Sequence, residues 1–330
     1  MDQPRLLDIK DLHVHFKVYG GTLKVLDGVS FAVGRGEKVG LVGETGCGKT
    51  TTMKATLRVL PMPPALIPKG EILFEGKDVL KMRDDGLRKV RGRGISMIFQ
   101  DPTAALNPVF NIGQQIGAVV RHSTDERLSR REVHDRVIEP LREVSLPDAE
   151  RMLGSYPIQL SGGMRQRVCI AMALVANPRL LIADEPGTSL DVTIQDQILR
   201  LLHRLVEEKD LSVVLITHTL GIVRELTDRV YVMYAGTMVE VAGTQELFHQ
   251  PLHPYTRGLM DAVPRLTGGG VSDGIPGRIP DYLHPPPGCR FHPRCPHAME
   301  ICHQEKPVFY RVDPHHEVAC FLYRDDERPA

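Results

Sequence analysis

Eight consecutive residues, Gly43-Glu44-Thr45-Gly46-Cys47-Gly48-Lys49-Thr50, carry the spacing Gly, any four residues, Gly, Lys, Ser/Thr. Glycines let a backbone turn its N–H groups inward around an anion. Lys49 is spaced to reach β- and γ-phosphates, and the Thr50 hydroxyl to bind Mg²⁺. The motif follows the apolar run Lys38–Val42, which predicts a strand, and it opens a helix. That is the context in which such a loop holds the phosphates of a nucleotide. Cys47 fills an unconstrained loop position, so its backbone matters more than its thiol. A helix N-terminus beside it would lower the thiol pKa and make it reactive.

A second constellation is Leu180-Leu181-Ile182-Ala183-Asp184-Glu185, an apolar strand ending in two acids. A strand of this kind buries its length and presents its carboxyl end to a ligand crevice. Asp184 is placed to bind Mg²⁺ through water, and Glu185 to polarise an attacking water. Phosphoryl transfer needs little covalent help, so positioning and charge neutralisation set its rate. Between the two lies Leu160-Ser161-Gly162-Gly163-Met164-Arg165-Gln166-Arg167. A serine and paired glycines ahead of a helix suit an N-cap and a γ-phosphate contact. A chain with one phosphate loop has no use for a second anion motif unless it serves another molecule.

The elements that must hold these groups follow from hydropathy. Residues 1–58 alternate apolar and polar positions, and 61–68 (PMPPALIP) read as a Pro-rich surface connection. Residues 71–100 read as short strands around a charged segment, and 111–150 as charged helix. Val213–Thr217 predicts a second buried strand. Ile194, Ile198, Leu201, Leu202 and Leu205 share one face of a helix predicted over Val192–Glu208. Strands alternating with helices predict an α/β fold with a mostly parallel sheet. Six prolines and six glycines in 264–288 predict a linker.

Composition removes several classes of function. Lysine and arginine number 41 against 41 aspartates and glutamates, so phosphate-backbone binding is not the main activity and no nucleic-acid partner is expected. The opening MDQPRLLDIK lacks the apolar core of an export signal, and no apolar stretch of about 18 residues occurs. Neither a secreted enzyme nor an integral membrane protein is expected.

Leu160–Gly163 followed by Gln166-Arg167 closely resembles the signature of ABC-transporter ATPases. The resemblance implies a P-loop NTPase ABC-ATPase core, a mixed sheet flanked by helices. It also implies an inserted helical subdomain and a small Cys-containing C-terminal extension. The boundaries expected are 1–263 for the ATPase domain (helical subdomain about 100–178), 264–288 for the linker and 289–330 for the extension. ATP would contact Gly43, Glu44, Thr45, Gly46, Cys47, Gly48, Lys49, Thr50 and Thr51. Tyr19 looks like the aromatic that stacks on adenine, with Phe16 as competitor. Gln100 resembles the Q-loop glutamine, so Mg²⁺ would be held through Thr50, Gln100 and Asp184. Glu185, His218 (the switch histidine) and Gln100 would carry catalysis. Ser161, Gly162, Gly163 and Gln166 would close on the ATP of a partner subunit, and Ser189, Leu190 and Asp191 resemble the D-loop. Departures are Thr219 for a usual Asp, Gly187 for Thr, Ser189 for Ala and Cys47 for Ser. They bear on turnover rate more than on activity.

A narrower likeness is to the oligopeptide/dipeptide importer branch. It rests on Gln100-Asp101-Pro102, Leu106-Asn107-Pro108, the segment His253–Leu259 (HPYTRGL) and Gly288–Pro296 (GCRFHPRCP). This implies an ATP-hydrolysing, energy-coupling subunit, peripheral at the cytoplasmic face of the cell membrane. Its partners would be a second, similar ABC ATPase in a heterodimer, two transmembrane permease subunits and an extracytoplasmic peptide-binding protein. Two ATP molecules sandwiched between phosphate loop and partner signature would close the pair, and hydrolysis would release it. Residues of about 100–160 would form the coupling surface. Nickel or haem importers share the pattern. A soluble ABC ATPase acting on ribosomes or DNA is the competing class, but such proteins commonly carry two cassettes or a long coiled-coil insertion, which this sequence lacks.

Cys289, Cys295, Cys302 and Cys320 are separated by 5, 6 and 17 residues. No C-x-x-C pair occurs, so a zinc ribbon fits poorly. Without an export signal a disulfide framework is the weaker reading. Spacing alone supports a four-thiolate metal site. In the importer branch the extension is similar to one carrying a [4Fe–4S] cluster. Zinc, two disulfides or free cysteines remain open, and His292, His297 and His303 are alternative ligands.

Overall fold

The structure, a computed structural model, describes residues 5–262 and 274–324. The chain forms two compact units: Met1–Gly34, Lys38–Leu80 and Ile216–Ala330 make the first, Arg35–Glu37 and Lys81–Leu215 the second.

In the first unit the alternating N-terminal sequence forms a long hairpin, Arg5–Val18 against Gly21–Gly34. Ala65–Phe74 adds antiparallel to its first strand. The strand therefore begins inside the Pro-rich stretch expected to be a surface connection. Its register slips between the His13–Lys69 and His15–Leu66 pairs, on either side of Pro68, which lacks the N–H of a regular ladder. A second, mixed sheet holds the phosphate-loop strand. Lys38–Val42 runs parallel to Arg229–Tyr234, which pairs antiparallel with Thr237–Gly243.

The C-terminal extension is built into that sheet. His316–Val318 pairs antiparallel with Thr237–Gly243, and Tyr310–Asp313 pairs with His316–Val318. Beneath them Glu240, fully buried, accepts from Leu252 N (2.8 Å), His253 N (2.9 Å) and His316 Nε2 (2.7 Å). Three donors, one of them a histidine ring, compensate its burial. Residues 264–273 of the expected linker and 325–330 of the expected extension lie outside the described residues. The rest of the linker is not a free connector. Lys24 N donates to Tyr282 O (2.9 Å), and a Cβ at Gly21 would stand 2.7 Å from Leu283 Cδ1.

The second unit pairs Ile95–Ile98 parallel with Leu180–Asp184, and Ser212–Ile216 lies on the other side of Leu180–Asp184. All five residues of Leu180–Asp184 are buried, as an apolar run flanked on both sides requires. The helices Ile112–His122, Arg130–Glu143, Ala149–Gly154 and Gly162–Leu174 belong to the same unit. Two of them start in full capping boxes, Asn111 with Gln114 and Ser129 with Glu132. The unit is thus larger than the helical subdomain expected at about 100–178, because the acid-bearing strand and the helix Val192–Glu208 pack with it.

Candidate functional site

In the first unit the phosphate loop is shaped by close backbone contacts. A Cβ on Gly43 would lie 2.1 Å from the Met233 carbonyl, and one on Gly48 2.7 Å from Leu26 Cδ2. Gly48 N-caps the helix Lys49–Thr56 with φ at 110°, a left-handed conformation that glycine adopts without strain. Gly236 N donates to Cys47 O at 2.7 Å, pinning the turn from outside. Lys49 is buried, and its ammonium donates to the loop's own carbonyls, Gly43 O (2.7 Å) and Glu44 O (3.1 Å). Thr50 and Thr51 follow on the first turn of the helix, the end toward which an anion is drawn. Cys47 is fully buried, and burial pushes its thiol up in spite of the nearby Lys49. The reactive thiol expected from the helix start is therefore corrected: desolvation outweighs the lowering by Lys49.

Three residues that sequence reasoning gave no role also meet this loop, and a fourth braces the Ala235–Gly236 turn that bonds it. Tyr255 Oη accepts the Glu44 N–H at 2.8 Å. Tyr282 Oη donates to Gly46 O at 2.8 Å. Arg294 Nη1 donates to both Glu44 carboxylate oxygens at 3.1 Å. Arg290 donates to Ala235 O and Lys24 O beside the turn. The one signal available for Tyr255, Arg290 and Arg294 was their place inside the HPYTRGL and GCRFHPRCP segments; Tyr282, in the expected linker, had none. Tyr19 stands at the tip of the hairpin, fully exposed, while Phe16 is half-buried. His218 is exposed directly after the strand Ser212–Ile216.

In the second unit Asp184 ends its strand buried, and Glu185 follows with φ at 47°. That left-handed conformation is uncommon for a non-glycine residue and turns the chain at the strand end. Gln100 Nε2 donates to Glu185 Oε2 at 2.8 Å, so the structure brings these two expected catalytic residues together. Asp101, next in the chain, caps the short helix Pro102–Ala105 by accepting from Thr103 N (2.8 Å).

The signature also belongs to this unit. Ser161 caps Gly162–Leu174, its Oγ accepting from Met164 N at 3.3 Å. A Cβ at Gly162 would come within 2.9 Å of Leu190, and one at Gly163 within 2.8 Å of Ile194. The paired glycines thus admit the D-loop and the following helix, whose N-cap is Asp191, accepting from Ile194 N at 3.0 Å. Gly187, a departure from the family pattern, takes φ 115°. The resemblance counted Gln166 among the signature residues that would close on a partner's ATP. Its side chain is fully buried, and neither amide atom has a hydrogen-bond partner among the described residues. In this state its amide faces the protein interior.

The six cysteines are free thiols. Cys289 N donates to Cys302 O (2.9 Å), Met299 N lies 3.4 Å from Cys302 Sγ, and the His292 and His303 rings meet tilted, with centres 4.2 Å apart. Burial, with smaller contributions from the other thiols, pushes Cys289 up to about 11 and Cys320 up to about 12. Cys289, Cys295, Cys302 and Cys320 lie near enough for Cys320 to feel the other three. Among the described residues no three His, Cys, Asp or Glu side chains form a site for a single metal ion.

A glycine-cradled lysine, a buried acid pair at a strand end and a serine-capped signature helix define an ATPase of the ATP-binding-cassette class. The family described as ABC transporter matches residues 26–188, and that described as oligopeptide/dipeptide transporter, C-terminal region, matches 239–302. The dipeptide transport ATP-binding protein DppD of Bacillus subtilis is 46% identical over 320 residues, covering 96% of this chain and 95% of that protein. The oligopeptide transport ATP-binding protein OppD of the same organism is 46% identical over 325 residues, covering 98% and 90%. Among solved structures, the dimeric post-hydrolysis state of the ATP-binding cassette MJ0796 bound to ADP and Pi matches with TM-score 0.64 and 27% identity, covering 72% of this chain and 98% of that one. CbiO1 of Clostridium perfringens matches with TM-score 0.62 and 27% identity, over 75% and 92%. The chain belongs to the ATP-binding subunits of the oligopeptide/dipeptide ABC transporter family. Among the described residues no helix is long and apolar enough to cross a membrane.

Proposed function

We propose that this chain is the energy-coupling subunit of a peptide importer, hydrolysing ATP at the cytoplasmic face of a membrane beside a second, similar ATPase. The Gln100–Glu185 hydrogen bond of 2.8 Å carries the reading. It links the group that would polarise water to the loop leading into the helical segment. That segment exposes Val109, Phe110, Tyr156 and Ile158, the apolar surface a permease would cover. Displacing Gln100 by docking would move a hydrogen bond of the general base. Peptide as cargo is supported by the relatives, named for dipeptide and oligopeptide transport.

The residue roles follow from chemistry. Lys49 would leave the carbonyls of Gly43 and Glu44 for β- and γ-phosphate oxygens, a stronger charge-assisted bond. Thr50, Gln100 and Asp184 would hold Mg²⁺, and His218 would touch the γ-phosphate. Ser161, Gly162 and Gly163 would meet the partner's ATP, and Gln166 would support the turn from within. Tyr19 remains the proposed adenine platform because its exposed ring can adapt to a π-face.

For the extension we propose a [4Fe–4S] cluster on Cys289, Cys295, Cys302 and Cys320. The reading is supported by four thiols close enough for Cys320 to feel the other three, and by the likeness of the segment to the importer branch's extension. The raised thiols would have to lose their protons on loading, so assembly would favour higher pH.

Glu185→Gln tests the central reading. With the second ATPase and Mg-ATP the variant should accumulate as an ATP-bound dimer by size exclusion, with turnover down about 100-fold or more. Wild-type turnover would refute it, and co-purification with ribosomal RNA rather than permeases would move the protein to another class.

A further inference from the structure

We infer that Arg294 is a positioning residue for ATP: it neutralises Glu44 and holds the phosphate loop ready for an anion, which makes the Cys289–Cys295 segment part of the nucleotide site. The inference rests on the reading that this loop binds nucleotide.

A carboxylate is an unfavourable neighbour for a triphosphate, because like charges repel across a partly desolvated site. Glu44 is the second residue of the loop, yet its carboxylate is not left alone. Arg294 Nη1 donates to both of its oxygens at 3.1 Å. The guanidinium is itself fixed: Nε donates to Pro276 O (2.8 Å), Nη2 to Ile275 O (3.0 Å), and its carbon lies 5.7 Å from the Tyr234 ring centre. Its side chain is 6% exposed, against 28% for Glu44. A planar fork held this way neutralises its partner with little further loss of freedom.

The same segment reaches Glu44 from the backbone side. Phe291, buried three residues before Arg294, packs against Tyr255 with ring centres 5.5 Å apart. Tyr255 Oη in turn accepts the Glu44 N–H at 2.8 Å. The segment thus meets the side chain of one loop residue directly, through Arg294, and its main chain through Tyr255, on which Phe291 packs.

The test is a two-background comparison of Mg-ATP affinity in the full chain, read with a fluorescent ATP analogue. Arg294→Met should weaken binding about tenfold, because Glu44 then faces the phosphates uncompensated. In Glu44→Gln, which has no such charge, Arg294→Met should cost less than about threefold. Equal losses in both backgrounds would show that Arg294 only fastens the extension, and would overturn the inference. Arg294→Lys keeps the charge but loses the guanidinium's bonds to Pro276 and Ile275, so its affinity should fall between those of wild type and Arg294→Met. A loss as large as that of Arg294→Met would also overturn it, and this arm stands if Arg294→Met does not fold. Lys49→Ala separates the two levels. If it binds ATP normally, the reading of the loop fails. If it abolishes binding while Arg294→Met changes nothing, only the present inference fails.

Discussion

Mild acid should weaken the protein on its nucleotide side through His253. This residue is 1% exposed, and its Nδ1 accepts the Tyr255 N–H at 3.0 Å, capping the helix Pro254–Asp261. A ring nitrogen that accepts cannot also carry a proton, so the cap exists only in the neutral form. Burial pushes the imidazole down to about 4 from 6.5; Glu240 opposes that shift and Arg257 adds to it. Between those values the unfolded chain binds a proton that the folded chain refuses. Stability from this group is therefore complete above pH 6.5 and is lost as pH falls toward about 4. At about 1.4 kcal/mol per pH unit the full loss is about 3 kcal/mol, with about 2 kcal/mol gone by about pH 5.

His253→Asn isolates this contribution, because asparagine caps a helix with a side-chain oxygen and does not titrate. The variant should be less stable than wild type at neutral pH, having lost ring packing on Phe291 at 5.5 Å. Its deficit should then shrink by about 2 kcal/mol in denaturant titrations repeated at about pH 5. Because Tyr255 also accepts the Glu44 N–H, wild-type ATP affinity should fall in the same window and the variant's should not. Parallel pH profiles for the two proteins would refute the reasoning.

Two further outcomes are expected. Gly43→Ala should lower ATP affinity at least about tenfold in fluorescent titration, because its Cβ would fall 2.1 Å from the Met233 carbonyl and the loop must shift. Cys320→Ser should lower the iron content per purified chain and its visible absorbance, while a zinc content that falls instead would replace the proposed cluster by a zinc site.

Local signals made the chemistry readable. Glycine spacing located the phosphate loop, and the apolar runs at 38–42 and 180–184 emerged as strands with their acids and glycines at the ends. The helix Val192–Glu208 came from periodicity, and Ile198, Leu201, Leu202 and Leu205 are buried as that face required. Contacts made across long stretches of sequence left no such trace. Arg294, Tyr255 and Tyr282 are single residues with no spacing rule, and their partners lie 250, 211 and 236 positions away. The Pro/Gly-rich composition of 264–288 reads as a linker and gave no sign that Tyr282 and Leu283 would meet the N-terminal hairpin. Gln166 was named only by the likeness of its motif to the signature, and nothing local in the sequence marked its side chain as buried.

The position of the extension has a topological cause. Arg229–Tyr234 runs parallel to Lys38–Val42, so both strands end on the same side of the sheet. The chain leaving Tyr234 therefore passes the phosphate loop at once, and Gly236 bonds Cys47 there. Thr237–Gly243 turns back and becomes the strand on which His316–Val318 pairs, which brings the C-terminal residues to the same region. Tyr234, Tyr255 and Phe291 then meet as edge-on and tilted rings at 4.7, 5.0 and 5.5 Å, a core that neither the ATPase sequence nor the extension could build alone. With two of those aromatics supplied before residue 256 and the third between cysteines, removing the extension would uncover the floor on which Tyr255 holds Glu44. The cysteine segment belongs to the phosphate site by packing before any question of what its thiols bind.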